Sequence, residues 1–123
     1  MIIDPLSTAM GLVLPKREFI SRLRSVTREL GILLIFDEIV SFRLSIGGAQ
    51  AAYDIEPDLT CLAKVIAGGT AGGAFGGRKD VMALYDPTQG SPAIAQSGTY
   101  NGNPMAMVAG LAALRAMTPN AYA

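Results

Sequence analysis

An uninterrupted apolar run, residues 32–36, constrains the fold of this chain more than any other segment. Gly31 precedes the run, and Asp37 and Glu38 follow it. A short aliphatic and β-branched run with such boundaries is typical of a central strand that is buried on both faces. We therefore predict a buried strand that ends at a pair of carboxylates.

A helix from about residue 16 to residue 30 is predicted ahead of this strand. Gly31 is a suitable C-terminal stop for it, and its apolar positions recur at helical spacing: Phe19, Leu23, Val26 and Leu30. Residues 1–5 are interpreted as the end of an earlier strand. The order strand, helix, strand is a βαβ unit, which predicts an α/β fold with a mostly parallel sheet and helices on both faces.

The rest of the chain divides into short elements. Residues 40–57 are predicted to be irregular, and a short strand is predicted near residues 59–63. Six glycines occupy the ten positions of residues 68–77, which predicts a turn followed by a short strand. A short helix over residues 78–85 is followed by a loop and by a last helix, which Asn103 is expected to cap.

Composition excludes several classes of function. The net charge is zero and no run of Lys or Arg exceeds two residues, so a nucleic-acid partner has no electrostatic support. No apolar stretch approaches the roughly 18 residues of a membrane span, and the single cysteine, Cys61, leads us to expect a reducing, cytoplasmic location. The chain contains no histidine, which excludes Ser-His-Asp catalysis and histidine metal ligands, and no metal site is predicted.

Asp37 and Lys64 carry the clearest chemical signal. Open α/β sheets bind ligands at the carboxyl ends of their strands, and both residues are predicted to follow strand ends. A carboxylate can hold a pyridinium nitrogen protonated and an amine can form a Schiff base, which together suggest a pyridoxal phosphate site. Apolar residues flank Lys64 in the sequence, so we expect desolvated surroundings that lower the pKa of its amine.

Other interpretations stay open at this point. Asp37 and Glu38 can form a simple strand-ending turn, Lys64 can reach water from a strand end, and Arg43 is expected to be a surface or loop-structuring residue. An aliphatic strand that ends in Asp-Glu also resembles the magnesium-binding strand of P-loop nucleotide hydrolases, whose Gly-x-x-x-x-Gly-Lys-Ser/Thr loop is absent from this sequence. Residues 97–104 suit a phosphate ahead of a helix N-terminus, or form a polar approach to a capped helix.

Five segments follow one another in the order LIFDEI, GGAQ, PDLTCLAKVI, GAFGGR and GTYNGNP, at residues 34–39, 47–50, 57–66, 73–78 and 98–104. In wording and order they resemble the class III aminotransferases, which are fold-type-I pyridoxal phosphate enzymes. The resemblance is strongest to the glutamate-1-semialdehyde 2,1-aminomutases and their aminotransferase relatives. It implies the large-domain architecture of that fold, with a mostly parallel sheet.

The resemblance also implies roles for four residues. Lys64 matches the lysine that forms the Schiff base with the cofactor and moves a proton between substrate and cofactor, and Asp37 matches the carboxylate that pairs with the pyridine nitrogen. Ile39 matches the aliphatic residue that packs on the cofactor ring. Thr99 matches the threonine that reaches the cofactor phosphate of the neighbouring subunit. The implied enzyme is a homodimer that moves an amino group between small-molecule amino and keto substrates, for example from glutamate-1-semialdehyde to 5-aminolevulinate.

Members of this family are several times longer than the 123 residues of this chain. We therefore expect residues 1–123 to be part of the large, cofactor-binding domain, incomplete at both ends. The alternative that the sequence leaves open is a truncated remnant with no enzyme activity of its own.

Overall fold

Four strands form one mixed sheet in the computed structural model, which describes residues 1–88 and 90–122. The strands lie in chain order and are β1 (Ile2–Ile3), β2 (Ile35–Asp37), β3 (Leu59–Ala63) and β4 (Gly73–Gly77). The first three are parallel, and β4 runs antiparallel to β3. The predicted mostly parallel sheet is therefore confirmed, with β4 as the antiparallel edge.

The first helix, α1 (Arg17–Glu29), packs on the sheet through Ile20, which is completely buried with Leu34 and Phe36. The helix is confirmed, but the predicted apolar face is wrong in part, because Phe19 is 54% exposed and Leu30 is 67% exposed. The buried face instead contains Ile20, Leu23, Arg24 and Thr27. The physical reason is that the buried carboxylate of Asp58 pairs with Arg24 at 2.7 Å and draws it inward.

The second strand is shorter than predicted. Ile35 and Phe36 pair with both neighbouring strands and Asp37 pairs with β3 alone, whereas the predicted strand began at Ile32. The amide of Ile32 donates to the carbonyl of Thr27 at 2.8 Å, so this residue belongs to the turn that ends α1. Ile32 and Leu33 are exposed, and the buried part of the apolar run is therefore confined to its second half.

Residues 40–57, predicted to be irregular, contain a 3₁₀ turn (Ser41–Leu44) and the helix α2 (Gly48–Tyr53). The carboxylate of Glu38 is completely buried and accepts hydrogen bonds from the amides of Ala49 (2.6 Å) and Gln50 (3.0 Å). Acceptors at a helix N-terminus satisfy amides that have no partner within the helix. The prediction failed because the capping carboxylate lies 11 and 12 residues before the two amides, outside any local pattern.

Helical segments flank both faces of the sheet, as predicted. The face that carries Phe36 is covered by α1, and Tyr53 at the end of α2 packs against the same cluster. Phe75 lies on the other face and makes an edge-on ring contact with Tyr85, in the 3₁₀ turn that follows α3 (Lys79–Met82), at a centroid distance of 5.2 Å. This second face is only partly covered, since Phe75 remains 39% exposed.

The last helix, α4 (Pro104–Ala116), begins as predicted. The side chain of Asn103 accepts hydrogen bonds from the amides of Met105 and Ala106, and proline occupies the first helical position. Within residues 1–88 and 90–122, none of the helices has both the length and the apolar character needed to cross a membrane.

Asp58 connects three parts of the chain at the entrance to β3. Its buried carboxylate accepts from the Leu34 amide (2.7 Å), from the Arg24 guanidinium (2.7 Å) and from the Arg78 guanidinium (2.9 Å). Burial alone would raise the pKa of Asp58, but these hydrogen bonds and charges outweigh it and hold the pKa well below its usual range. The ionised carboxylate thus ties α1 and the residue after β4 to the start of the two central strands.

We expect Asp58→Asn to lower the free energy of unfolding by about 3 kcal/mol, because Arg24 is left buried without its counter-charge. The folded state lowers the pKa of Asp58, so its contribution is complete above about pH 4 and is lost as the pH falls below that value. Urea unfolding measured between pH 7 and pH 3 checks both statements. Glu56→Gln, at an exposed carboxylate, is the control. An unchanged acid profile in the Asp58 variant would contradict the assignment.

Candidate active site

The carboxyl ends of the parallel strands β2 and β3 form one edge of the sheet. Asp37 is the last residue of β2 and pairs with Cys61 in β3, while Lys64 follows β3 directly. The structure therefore places the predicted carboxylate and the predicted amine at the same edge, where open α/β sheets bind ligands.

Lys64 adopts a strained backbone conformation. Its φ angle is +52°, in the left-handed region that non-glycine residues rarely enter, and it begins a 3₁₀ turn (Lys64–Ala67). Such conformations cost about 1 kcal/mol or more and cluster at functional sites. The turn redirects the chain at the point where β3 ends, so the side chain leaves the sheet at its carboxyl edge.

This lysine turn, residues 64–67, packs tightly against α4. A Cβ atom placed on Gly110 would lie 2.2 Å from the carbonyl oxygen of Ile66, and one on Gly68 would lie 2.3 Å from the carbonyl oxygen of Ala109. Only glycines permit backbones to approach so closely at these points. The helix therefore fixes the position of the turn that carries Lys64.

A pocket of about 720 Å³ opens beside the lysine turn. Its charged lining residues are Lys64 and Arg43, and the others are apolar, glycine or threonine: Ile39, Val40, Val65, Gly68, Gly69, Thr70, Ala71, Gly72 and Ala113. The volume lies in the range of small-molecule and cofactor sites. The lining contains no carboxylate among the residues that the structure describes.

The four predicted site residues differ in their relation to this pocket. Lys64 and Ile39 both line it. Asp37 is half-buried next to the pocket wall and accepts a hydrogen bond at Oδ1 from the amide of Ile39 (3.1 Å). Thr99 is exposed in the loop before α4 and is not part of the lining. The chain thus brings three of the four to one region, and Thr99 stays a prediction that involves a neighbouring subunit.

The expected apolar surroundings of Lys64 are wrong for residues 1–88 and 90–122, because its side chain is exposed. Its apolar neighbours in sequence, Leu62 and Val65, are half-buried, and Val65 lines the same pocket as Lys64. Because Lys64 begins a turn at the end of β3, the apolar residues that flank it in the sequence do not bury it.

The thiol of Cys61 lies beside Asp37 on the partly covered face of the sheet. Burial raises the pKa of this thiol, and the negative charge of Asp37 raises it further. Cys61 therefore remains protonated near neutral pH, a state in which it is a poor nucleophile.

Sequence reasoning missed two residues of this region. Glu38 was interpreted only as part of a turn, but it organises the backbone behind the pocket: besides capping α2, it accepts from the Ser41 hydroxyl at 3.3 Å. Arg43 was expected to be a surface residue, and although exposed it also lines the pocket with Lys64. The pair Gly47-Gly48 was a signal for Glu38, since a Cβ atom on Gly48 would meet its carboxylate at 2.5 Å.

The residues present fit a phosphorylated pyridine aldehyde. Lys64 lines a pocket of sufficient size, Ile39 offers an apolar surface for a ring, and Asp37 offers a carboxylate at the same edge of the sheet. An amine, an apolar platform and a carboxylate are the groups that attach such a cofactor, hold its ring and keep its nitrogen protonated.

Comparison with known proteins identifies the family. The family model described as aminotransferase class-III matches residues 1–122. Glutamate-1-semialdehyde 2,1-aminomutase of Thermodesulfovibrio yellowstonii is 50% identical over 119 residues, which are 96% of this chain and 27% of that protein. The chain therefore spans about a quarter of the length of that relative.

Two solved structures have the same fold over nearly the whole chain. An omega-transaminase from Sphaerobacter thermophilus superimposes with a TM-score of 0.94 and 47% identity, over 97% of this chain and 27% of that one. A beta-phenylalanine aminotransferase from Variovorax paradoxus gives a TM-score of 0.91 and 43% identity, over 98% and 28%. The α/β architecture is thus that of the fold-type-I pyridoxal phosphate enzymes.

The strain at Lys64 predicts an unusual order of variant stabilities. We expect Lys64→Gly to be more stable than Lys64→Ala by about 1 kcal/mol, because glycine tolerates a positive φ and alanine does not. Lys79, at the start of α3, provides the matched control, where alanine is expected to be the more stable of the two. Urea unfolding of the four variants checks this prediction. If the alanine variant were the more stable one at both positions, the strained conformation of Lys64 would be contradicted.

The contact between α4 and the lysine turn predicts the effect of a single methyl group. We expect Gly110→Ala to lower the free energy of unfolding by about 1–3 kcal/mol, since the turn has to move away from the added Cβ. Gly76→Ala is the control, because no atom lies within 4 Å of a Cβ at Gly76. Thermal or urea unfolding measures the stability of both variants. Equal stability would contradict the prediction, because it would show that the turn moves away from the added Cβ at no cost.

Proposed function

Since this chain belongs to the class III aminotransferase family, we propose that it supplies the cofactor-holding lysine of a pyridoxal-phosphate-dependent amino-group transfer. The observation that carries the proposal is Lys64, held in a strained turn at the carboxyl edge of the sheet, beside a pocket and close to the strand that ends in Asp37. The family consists of enzymes that depend on pyridoxal phosphate. When bound, that cofactor acts as an electron sink for the bonds at the substrate amine.

The proposed roles follow from position. Lys64 holds the cofactor through its amine and, once released from it, moves a proton at its Nζ atom. Asp37 keeps a proton on the ring nitrogen, and its orientation is supported by the hydrogen bond from the Ile39 amide. Ile39 supports the ring from the pocket wall. Thr99 is proposed to reach the phosphate of a cofactor in a second copy of the protein, which makes the working unit a homodimer.

The proposed substrates are small amino and keto compounds. In one version the amino group moves within glutamate-1-semialdehyde to give 5-aminolevulinate, and the 50% identity to the Thermodesulfovibrio yellowstonii aminomutase supports this version. In the other version the amino group passes to a separate keto acid. The identities of 47% and 43% to a transaminase and to a beta-phenylalanine aminotransferase support the second version.

Absorbance spectroscopy with added pyridoxal phosphate tests the role of Lys64. We expect a band near roughly 410–430 nm that borohydride reduction fixes to the protein, as covalent attachment through a lysine amine requires. Lys64→Ala should lose both the band and the fixation, whereas Lys79→Ala should keep them, because Lys79 lies in α3 outside the pocket lining. Mass spectrometry of the reduced protein locates the modified residue.

Two results would contradict the proposal. Fixation at another lysine would exclude the role of Lys64, and the absence of any specific band would favour a remnant without activity. Assays then separate the two reactions, because the aminomutase version forms 5-aminolevulinate without an added keto acid and the transaminase version requires one.

A further inference from the structure

We propose that Arg43 recognises a carboxylate of the substrate in the Lys64 pocket. This inference rests on the proposed amino-group transfer and adds the chemical class of the ligand, an amino or keto acid rather than a simple amine. The pocket lining contains two cationic side chains and, among the described residues, no acidic one. An anionic ligand is the complement of such a pocket.

The backbone that carries Arg43 is held firmly in place. Arg43 lies in the 3₁₀ turn 41–44, whose first residue, Ser41, is completely buried and donates to the carboxylate of Glu38. The amide of Phe42 also donates to the carbonyl of Glu38 at 3.1 Å. Glu38 in turn accepts from the amides at the start of α2, so hydrogen bonds connect the turn that carries Arg43 to α2.

The guanidinium of Arg43 is also free to bind a ligand. In residues 1–88 and 90–122, the ion pairs join Arg22 to Glu29, Arg24 and Arg78 to Asp58, and Arg78 to Asp80, and Arg43 takes part in none of them. The side chain is exposed within the pocket lining. An arginine that is charged at all physiological pH values and has five donors is suited to a two-point contact with a carboxylate.

The two cations of the pocket have different tasks in this arrangement. When Lys64 holds the cofactor, its amine is engaged, and Arg43 is the cationic side chain that remains in the described lining. A substrate whose amine reacts at the Lys64 side can then place its carboxylate toward Arg43. An amine that lacks a carboxylate gains nothing from this contact, so Arg43 determines which class of donor is preferred.

A purely structural role is the competing explanation. Arg43 also lines a smaller cavity with Ala116 and Met117 at the C-terminal end of α4, where a cation interacts favourably with the helix dipole. In that case, replacing Arg43 by an uncharged residue would reduce the stability of the fold and would weaken the binding of charged and neutral ligands equally. The experiment therefore compares acids with neutral molecules of the same shape.

Calorimetric titration of the complete protein, loaded with pyridoxal phosphate, measures binding without turnover. The probes are 3-phenylpropanoate against 3-phenylpropanamide, and levulinate, which is 5-aminolevulinate without its amino group, against methyl levulinate. We expect at least one acid to bind about 10-fold or more tightly than its neutral partner. Arg43→Gln should weaken the binding of that acid by about 10- to 100-fold, since a hydrogen bond to a charged group is lost. The affinity for the neutral molecule should not change.

Two further variants complete the comparison. Arg43→Lys keeps the charge but not the fork of donors, so it should recover part of the affinity for the acid. Arg22→Gln removes a surface cation whose side chain is 72% exposed on α1, outside the pocket lining, and should change nothing. Equal weakening of acid and neutral probe by Arg43→Gln, or no preference for either acid in the unmodified protein, would overturn the inference.

Kinetics separate this inference from the proposed function. With β-phenylalanine and 1-phenylethylamine, which differ by one carboxylate, Arg43→Gln should raise the KM for the acid about 10- to 100-fold, with a smaller effect on kcat and little effect on the amine. A protein that forms no product with these donors or with glutamate-1-semialdehyde contradicts the proposed function. The calorimetric comparison then still decides whether Arg43 recognises a carboxylate.

Discussion

The buried carboxylate of Asp58 supports the arrangement on which the candidate site depends. It accepts from the Leu34 amide at the approach to β2, from Arg24 on α1 and from Arg78 after β4. The Asp58 amide also donates to the Leu34 carbonyl at 2.8 Å, and the Arg78 amide donates to the Asp58 carbonyl at 2.9 Å. These bonds fix the register of three strands at one end of the sheet, and the register places Asp37 opposite Cys61 at the other end.

Asp37 and Glu38 are adjacent in the sequence, but their carboxylates lie on opposite faces of the sheet. Successive strand residues point to opposite sides, so Asp37 lies on the partly covered face, while Glu38 is completely buried and holds the N-terminus of α2. Glu38 thereby fixes the turn that carries Arg43, and Asp37 is half-buried at the carboxyl edge of the sheet. The proposed ring-nitrogen partner and a residue that supports the backbone behind the pocket are therefore adjacent in the sequence.

Tight packing of small residues has a similar supporting role on the other side of the pocket. Gly68 and Gly110 let the lysine turn and α4 approach to backbone contact. A turn that is restrained in this way can keep Lys64 at a φ of +52°, a conformation that an unrestrained chain would leave. The strain at Lys64 is thus balanced by packing at positions that carry no reactive group.

The sequence by itself determined the elements whose signals are local: α1, α4 with its Asn103 cap, strand β3, and the positions of Asp37 and Lys64 at strand ends. The tertiary structure decided what depends on distant partners. The inward turn of Arg24 needs Asp58, helix α2 needs the Glu38 carboxylate, and Arg43 enters the pocket because the 41–44 turn is fixed from behind. Periodicity reports which residues a helix or strand would bury on average, but a buried charge is satisfied only by specific partners that folding brings together.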